Sequence, residues 1–295
     1  MMESLKILFP VSGVETYFFV PPLLAFVISF FSSFAGLSGA FLLLPVNMSL
    51  LGFTSVAVTS TNFLYNVIGI PGGVARFIRE RRMVWPLALA MTAGTLPGVV
   101  IGYWLRMRFF PDPRVFKLFV GVVLLFMSWR LLAGLLAKKR VAPALMLIEH
   151  LRWDLRTISY TFAGREIVVP VSLLVLFSFL VGIVGGIYGI GGGALYVPFC
   201  VGVLGIPIHT LAGASLFGTF VTSIAGCLIY STLPVAGGQT APPDWPLGIL
   251  YGLGGLAGMY SGARFQKHIP EHLITAALGL LLIYLAIGYI VQFFG

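Results

Sequence analysis

Charged residues are scarce in this sequence. Of its 295 residues, 9% are Asp, Glu, Lys or Arg and 59% are hydrophobic, whereas about 25% of the residues of a soluble globular chain are charged. Mean hydropathy is +1.02. This composition excludes an ordinary soluble domain and predicts a protein that lives in a lipid bilayer.

The sequence has only two cysteines, and its acidic residues are kept out of the interior of the apolar runs. Cys200 and Cys227 are too few for a disulfide framework and do not have the spacing of a zinc site, so we expect them to be packing residues. Asp and Glu occur only at the edges of the apolar runs, which argues against a carboxylate relay. No set of acid, base and metal ligands suggests an enzyme, and we expect no cofactor and no metal.

Long apolar runs occupy most of the chain. Each is long enough to span the hydrocarbon core, which takes about 20 helical residues. The runs lie at 20–53, 55–75, 84–105, 115–137, 167–206, 208–233, 245–263 and 273–294. They show none of the alternation of a β-barrel strand. The sequence therefore predicts an all-α polytopic membrane protein with a single transmembrane domain over 1–295. The N-terminal segment lacks the pattern of a signal peptide, and we expect it to be retained, along the membrane interface.

Basic residues account for the net charge of +9. They gather at the ends of apolar runs, at 76–82, 106–117 and 138–140. Membrane proteins hold Lys and Arg on the cytoplasmic side to fix their orientation. The charge therefore indicates the bilayer as a partner and does not indicate nucleic acid.

The sequence repeats once. A shift of 153 residues places Gly36 on Gly189 and Pro45 on Pro198, and "LPGVVIG" in the first half echoes "LAGMYSG" in the second. Two four-segment repeats follow, at 20–137 and 167–294, joined by a cytoplasmic connection at 138–166. Transporters commonly pair such halves around a midplane site.

The relation between the repeats depends on whether the first run of each crosses the membrane or re-enters. Inverted repeats with re-entrant first segments place 12 Lys and Arg inside and 5 outside, whereas parallel repeats place 11 inside and 6 outside. The inverted arrangement is favoured, and the parallel one stays open.

Glycines interrupt the first run of the second half, in "GGIYGIGGGALYVPF" at 185–199. A dinucleotide loop is excluded because the flanks are long apolar runs and no acidic residue lies between Glu166 and Asp244. The glycines predict a broken helix, whose freed backbone groups must be buried or line a cavity. A helix N-terminus there favours an anion. Alternatively, the glycines only allow close helix packing.

The connection between the halves contains "RWDLRTISYTFAGREIVVP". Ile158, Tyr160 and Phe162 alternate with polar neighbours before Ala163 and Gly164, which predicts a small β-hairpin cap. An ordered linker without strands is the alternative.

These motifs together resemble the sulfite exporter TauE/SafE family of membrane permeases. The resemblance rests on both copies of the glycine motif, "LGFTSVAVTSTNF", "LGIPIHTLAGASLF", the basic turn "RFIRERRMVW" and "LPGVVIGYWLR". It implies export of sulfur-containing anions such as sulfite, sulfoacetate or other organosulfonates across the plasma (inner) membrane, or uptake of comparable anions. The first copy departs from the family, because Ser38 and Ala40 in "GLSGAF" stand where the family has glycines. A non-transporting sensor or assembly protein is the alternative function, and the oligomeric state stays open.

Polar residues suited to a sulfonate lie at or just after the breaks. Hydroxyls, amides and backbone N–H groups can donate to its oxygens without a buried cation. The substrate-binding candidates are Ser38, Gly39, Thr61, Asn62, Asn66, Gly191, Gly192, Gly193, Ser215 and Thr219. Hydrogen bonding between helices is the alternative role for these side chains. His209 is either an interface residue or a proton-linked switch, and Arg130 either supplies a positive charge or extends to the interface.

Overall fold

The computed structural model describes residues 6–34, 38–136, 148–162, 164–202, 204–235, 238–265 and 271–295. These residues are mostly helical, as predicted. Five helices are long and apolar enough to cross a membrane: Trp85–Phe109, Pro113–Gly134, Val171–Tyr188, Thr210–Thr232 and Ala276–Phe294. Large apolar side chains on these helices are exposed, among them Trp129, Leu176 and Leu280. The chain is an integral membrane protein with several spans.

The first run of the first half is divided into two helices, as predicted. The helices of this half are α1 Val20–Phe34, α2 Ala40–Leu50, α3 Ala57–Gly69, α4 Pro71–Arg79, α5 Trp85–Phe109 and α6 Pro113–Leu136. At about 1.5 Å per residue, α2 is only half as long as the hydrocarbon core of about 30 Å. It therefore cannot cross the membrane alone.

The first run of the second half is divided in the same way. The helices here are α7 Val171–Tyr188, α8 Gly193–Gly202, α9 Ile208–Thr232, α10 Trp245–Phe265 and α11 Glu271–Phe294. Like α2, α8 is too short to span the core. The long helices α9 to α11 then complete the half.

The run at 55–75 differs from the prediction of one ordinary helix. It divides where α3 ends at Gly69 and α4 begins at Pro71. Proline has no N–H and its ring crowds the preceding turn, so it interrupts the helix. The counterpart α9 has no proline within its bounds and continues for 25 residues.

The two halves pack on each other reciprocally. The helix α5 of the first half packs along α7, and α10 of the second half packs along α1. The helices also pair as α6 with α11 and α3 with α9. A Cβ at Gly98 would collide with the carbonyl of Phe179, and one at Gly258 with the carbonyl of Phe26. The glycines of "LPGVVIG" and "LAGMYSG" thus allow two backbone contacts of the same kind.

A three-stranded antiparallel sheet lies between the halves. Its strands are β3 Ile148–Trp153, β4 Thr157–Phe162 and β5 Arg165–Pro170, numbered after the N-terminal strands β1 Lys6–Phe9 and β2 Val14–Tyr17. The pairing of β4 with β5 confirms the predicted hairpin, whereas β3 was not predicted. Ile158, Tyr160 and Phe162 are buried. The Tyr160 hydroxyl lies 2.8 Å from Thr210 Oγ1, so the sheet rests on the start of α9, and burial raises the pKa of Tyr160 to about 12.

The turn between β3 and β4 is held by Asp154. Its Oδ1 accepts the backbone N–H groups of Arg156 at 2.7 Å and Thr157 at 2.8 Å. These bonds, that from Thr157 foremost, hold the pKa of the Asp154 carboxyl below its ordinary value. The ionised carboxylate therefore stabilises the turn.

The N-terminal strands β1 and β2 form a hairpin that was not predicted. Phe9 and Val14 are each 2% exposed. Between the strands, the backbone N–H of Ser12 donates to Asp244 Oδ2 at 2.9 Å. The segment is therefore attached to the residue that precedes α10.

Candidate functional site

Three glycines with positive φ separate α7 from α8. The φ angles are 87° at Gly189, 66° at Gly191 and 91° at Gly192. A residue with a Cβ loses about 1–2 kcal/mol in this left-handed region. Glycine is therefore required for this backbone path, independently of any role in helix packing.

The last carbonyls of α7 are satisfied by side chains from other helices. An α-helix leaves its final C=O groups without partners inside the helix. The donors are Tyr230 Oη to Gly186 O at 2.8 Å, Thr59 Oγ1 to Ile187 O at 3.2 Å and Asn62 Nδ2 to Gly189 O at 3.0 Å. Helices from both halves therefore meet at this break.

Asn62 connects the two breaks. Its Nδ2 also donates to the carbonyl of Ala40, the first residue of α2, at 2.9 Å. In the second half, Ser215 Oγ donates to the carbonyl of Gly193, the first residue of α8, at 3.2 Å. The shift of 153 residues relates these two bonds to each other, since it places Asn62 on Ser215 and Ala40 on Gly193.

A proline explains a further bond between the breaks. Pro45 lies inside α2 and has no N–H, so it cannot donate to the carbonyl of Phe41. That carbonyl accepts instead from the hydroxyl of Tyr188, the last residue of α7, at 2.8 Å. The tyrosine was not identified from the sequence, because an aromatic residue in an apolar run gives no sign of a polar role.

Several buried polar atoms on α3 and α9, which meet at the break between α7 and α8, have no hydrogen-bond partner among the described residues. They are Asn62 Oδ1, both Oδ1 and Nδ2 of Asn66, and Ser223 Oγ. A Cβ at Gly191 would lie 2.9 Å from Ser223 Oγ, so this serine adjoins the break. A buried amide without partners costs about 1–3 kcal/mol. The bonds of Asn62 Nδ2 and Ser215 fit the interhelical alternative, whereas both polar atoms of the Asn66 amide have no partner among the described residues.

Other candidates from the sequence are placed as follows. The hydroxyl of Thr61 accepts the backbone N–H of Asp244 at 2.9 Å, which attaches it to the start of α10. Thr219 Oγ1 donates to Ser215 O within α9 at 2.9 Å. Gly39 precedes α2 and a Cβ there would lie 2.6 Å from Tyr65 Oη.

The remaining candidates are Ser38, Arg130 and His209, and none of the hydrogen bonds described above involves their side chains. Ser38 is half-buried before α2. Arg130 lies on α6, which packs chiefly on α11, with its guanidinium carbon 5.7 Å from the centre of the exposed Trp129 ring. His209 is in the first turn of α9, and its side chain lies outside the part of the chain that the structure describes.

Arg106 was counted among the loop charges from the sequence, but it is buried in α5. It is 0% exposed, whereas Arg108 two residues later is exposed. Its Nε donates to Thr59 Oγ1 at 3.2 Å. A basic residue at the end of an apolar run gives no sign, in the sequence alone, of which way it points.

The polar side chains of Asn62 and Asn66 are buried. Asn62 is 1% exposed and Asn66 is 0% exposed. Surface grooves of about 300 Å³ and 210 Å³ lie elsewhere, one beside Tyr103 and Leu233 and one beside Lys117. Within the described ranges, no group of three His, Cys, Asp or Glu side chains is placed to hold a metal ion. The described residues at the breaks can offer neutral amide and hydroxyl groups in a buried setting.

Comparison with known proteins identifies the family. The family model described as "Sulfite exporter TauE/SafE" matches residues 22–289. The chain is 23% identical over 254 residues to the "Probable membrane transporter protein YunE" of Bacillus subtilis (strain 168), covering 83% of this chain and 86% of that protein. It is 33% identical over 119 residues to the "Sulfite exporter TauE/SafE family protein 2" of Arabidopsis thaliana, covering 40% of this chain and 26% of that one. No solved structure matches. Because the family model covers nearly the whole length, the chain belongs to the sulfite exporter TauE/SafE family, which is a family of membrane transporters and not of enzymes.

Proposed function

We propose that this protein exports small sulfur-containing anions, such as sulfite, sulfoacetate or another organosulfonate, across the plasma (inner) membrane. Membership of the family supports transport. The class of anion follows from the name of the family and from the chemistry of the site, where neutral N–H and O–H donors are suited to the oxygens of a sulfonate.

The anion binds between two repeats, where the broken helices meet. The observation that carries this placement is the Asn62 amide, which donates to the first residue of α2 and to the glycine that ends α7. Asn66 lies one helical turn further along α3. Neither polar atom of its amide has a hydrogen-bond partner among the described residues. Ser215 and Thr219 occupy the corresponding positions of α9. The amides at the starts of α2 and α8 add the partial positive charge of helix N-termini.

The repeats are inverted, and their first segments re-enter. The reciprocal packing of α5 on α7 and of α10 on α1 supports a twofold relation between 20–137 and 167–294. The lengths of α2 and α8 support re-entry, because neither can cross the membrane alone, whereas the length of α7 fits a full crossing. The connection at 138–166 then lies in the cytoplasm together with the basic turn at 76–82.

The described conformer is closed, so transport requires movement. An anion can reach Asn66 only if the helices around the breaks separate on one side at a time, as in alternating access. The bond between Asn62 and Gly189 joins the halves, and its release on one side allows opening.

The test is flux through purified protein in proteoliposomes. Labelled sulfite and sulfoacetate should cross faster than in empty liposomes, and Asn66→Ala should reduce the rate. Thr232→Ala is the matched control, because this exposed hydroxyl bonds within α9, to Leu228 O at 2.7 Å, and to no other described residue. Rates equal to those of empty liposomes for a panel of sulfonates and oxyanions would contradict transport and favour a sensor or an assembly protein.

A further inference from the structure

Arg106 is a buried cation without a carboxylate partner in the described part of the chain. The ion pairs there join Arg76 and Arg82 to Glu80 on the surface. Asp244 is the buried acid of the described residues, and it accepts the backbone N–H groups of Ser12 and Leu247. An uncompensated charge inside a membrane protein is costly and marks ion pathways by default.

The guanidinium of Arg106 is held in place on three sides. Its Nε donates to Thr59 Oγ1 at 3.2 Å, and Nη1 donates to the carbonyl of Phe110. Its central carbon lies 3.6 Å from the centre of the Phe116 ring. Nη2 is buried and has no hydrogen-bond partner among the described residues. Two N–H donors of a positioned cation are therefore available.

Arg106 adjoins the broken helix that we place at the site. Thr59, which accepts from it, donates in turn to Ile187 O in the last turn of α7. Residues three and seven positions apart lie on one face of a helix, so Thr59, Asn62 and Asn66 form a single polar stripe along α3. This stripe leads from the guanidinium to the unpartnered amide of Asn66.

The carbonyl ends of α5 and α7 offset part of this charge. A helix C-terminus carries only about half a negative charge. The carbonyls at the end of α7 already accept from Thr59, Asn62 and Tyr230. An anion with several oxygens would supply the rest, since guanidinium donors match oxyanions in geometry as well as charge.

We propose that Arg106 is the counter-charge that an oxyanion meets on its way to or from Asn66, and that it makes the pathway selective for oxyanions over halides. The inference rests on the proposed function, because it assigns a specificity-determining residue to the same site. A residue that only fastened α5 to α3 would stabilise the fold without changing the affinity for an anion.

The experiment compares Arg106→Met with Arg108→Met in purified protein. Met keeps an unbranched apolar stem similar to that of arginine and removes the guanidinium with its charge. Arg108 is the matched control because its exposed guanidinium lies over Trp104, at 5.5 Å. We expect Arg106→Met to bind sulfite and sulfoacetate at least about tenfold more weakly, a loss of about 1.4 kcal/mol. Its melting temperature without anion should fall, because Thr59 Oγ1 and the Phe110 carbonyl lose their donor, so the affinity for the anion is the deciding measurement. Arg108→Met should bind as the wild type does.

Unchanged affinity in Arg106→Met would overturn the inference, whatever its stability. If that variant does not fold, Arg106→Lys decides the matter, since it keeps the charge and loses the planar donors. We expect Arg106→Lys to lose part of the preference for sulfoacetate over chloride, and an unchanged preference would overturn the inference. Absence of flux in wild-type proteoliposomes would instead contradict the proposed function. Wild-type flux together with normal binding by Arg106→Met would contradict this inference alone.

Discussion

Replacing Gly192 by Ala should destabilise the protein and weaken anion binding. The φ angle of Gly192 is 91°, and a Cβ in this region costs about 1–2 kcal/mol. That Cβ would also lie 2.7 Å from Val181 Cγ1 and 3.3 Å from Tyr196 Cε2. Overpacking of this kind costs about 1–3 kcal/mol. The sum, about 2–5 kcal/mol, exceeds the gain in helix propensity of about 1 kcal/mol that the sequence alone suggests.

Two comparison variants separate the causes of this loss. Gly205 has a φ of 65° and no atom within 4 Å of a built Cβ, so Gly205→Ala measures the cost of the backbone conformation alone. Val181→Ala removes the methyl group that Gly192→Ala would meet. A double-mutant cycle between positions 181 and 192 should therefore show a coupling of about 1 kcal/mol or more.

The measurements are thermal unfolding in detergent and the affinity for sulfite or sulfoacetate. We expect Gly192→Ala to unfold at a lower temperature than Gly205→Ala, and its affinity to fall because α8 can no longer start at Gly193. Equal melting temperatures for Gly192→Ala and Gly205→Ala would refute the steric part of the reasoning. A Gly192→Ala protein with the stability and affinity of the wild type would show that the break does not depend on this glycine.

Three further outcomes follow from the same geometry. Asn66→Ala should weaken anion binding by about 1–2 kcal/mol without lowering the melting temperature, whereas Thr61→Val should lower the melting temperature and leave binding intact. The reason is that, of the two side chains, Thr61 makes a structural bond among the described residues and Asn66 does not. Calorimetry measures the affinity and thermal unfolding the stability, and the reverse pattern would contradict the placement of the site. An impermeant maleimide should label Glu80→Cys from the cytoplasm and Gln239→Cys from outside, with little background because the native cysteines are buried, and labelling of both from one side would contradict inversion. The turn that Asp154 holds should lose hydrogen-exchange protection as the pH falls below about 4, because the lowered pKa of Asp154 means that its ionised form stabilises the turn. The Asp154→Ala protein should lack this pH dependence. Identical pH profiles of exchange in the two proteins would contradict the role of the carboxylate.

Features with a local physical cause were predictable from the sequence. The division of the run at 167–206 follows from three glycines that need positive φ, and the hairpin follows from the alternation of Ile158, Tyr160 and Phe162. The interruption of the run at 55–75 was missed, although Pro71 was a signal for it, since proline cannot continue a helix from the preceding turn.

Features decided by packing were not predictable. Arg106 and Arg108 are the same residue type two positions apart, yet one is buried and the other exposed, because only one faces the junction of α3 and α7. Likewise, Thr61 and Asn66 belong to one polar cluster in the sequence, but Thr61 faces the start of α10. The predicted set therefore contained Asn62 and Asn66 and lacked Arg106.

The bonds at the end of α7 set the scale of the energy needed to open the site. Three side chains donate to its final carbonyls, and each such bond contributes about 0.5–1.5 kcal/mol. The closed conformer is thus favoured by these contacts by only a few kcal/mol. An anion can take over the N–H donor that Asn62 directs at Gly189 only after that bond is released, so its binding favours an open conformer. Release on the far side requires that the conformers open to either side bind the anion about equally, because a ligand that binds two states equally does not shift their populations. The attraction of Arg106 acts directly beside this opening, because Thr59, which accepts from its Nε, packs against the break, where a Cβ at Gly189 would collide with the Thr59 carbonyl oxygen.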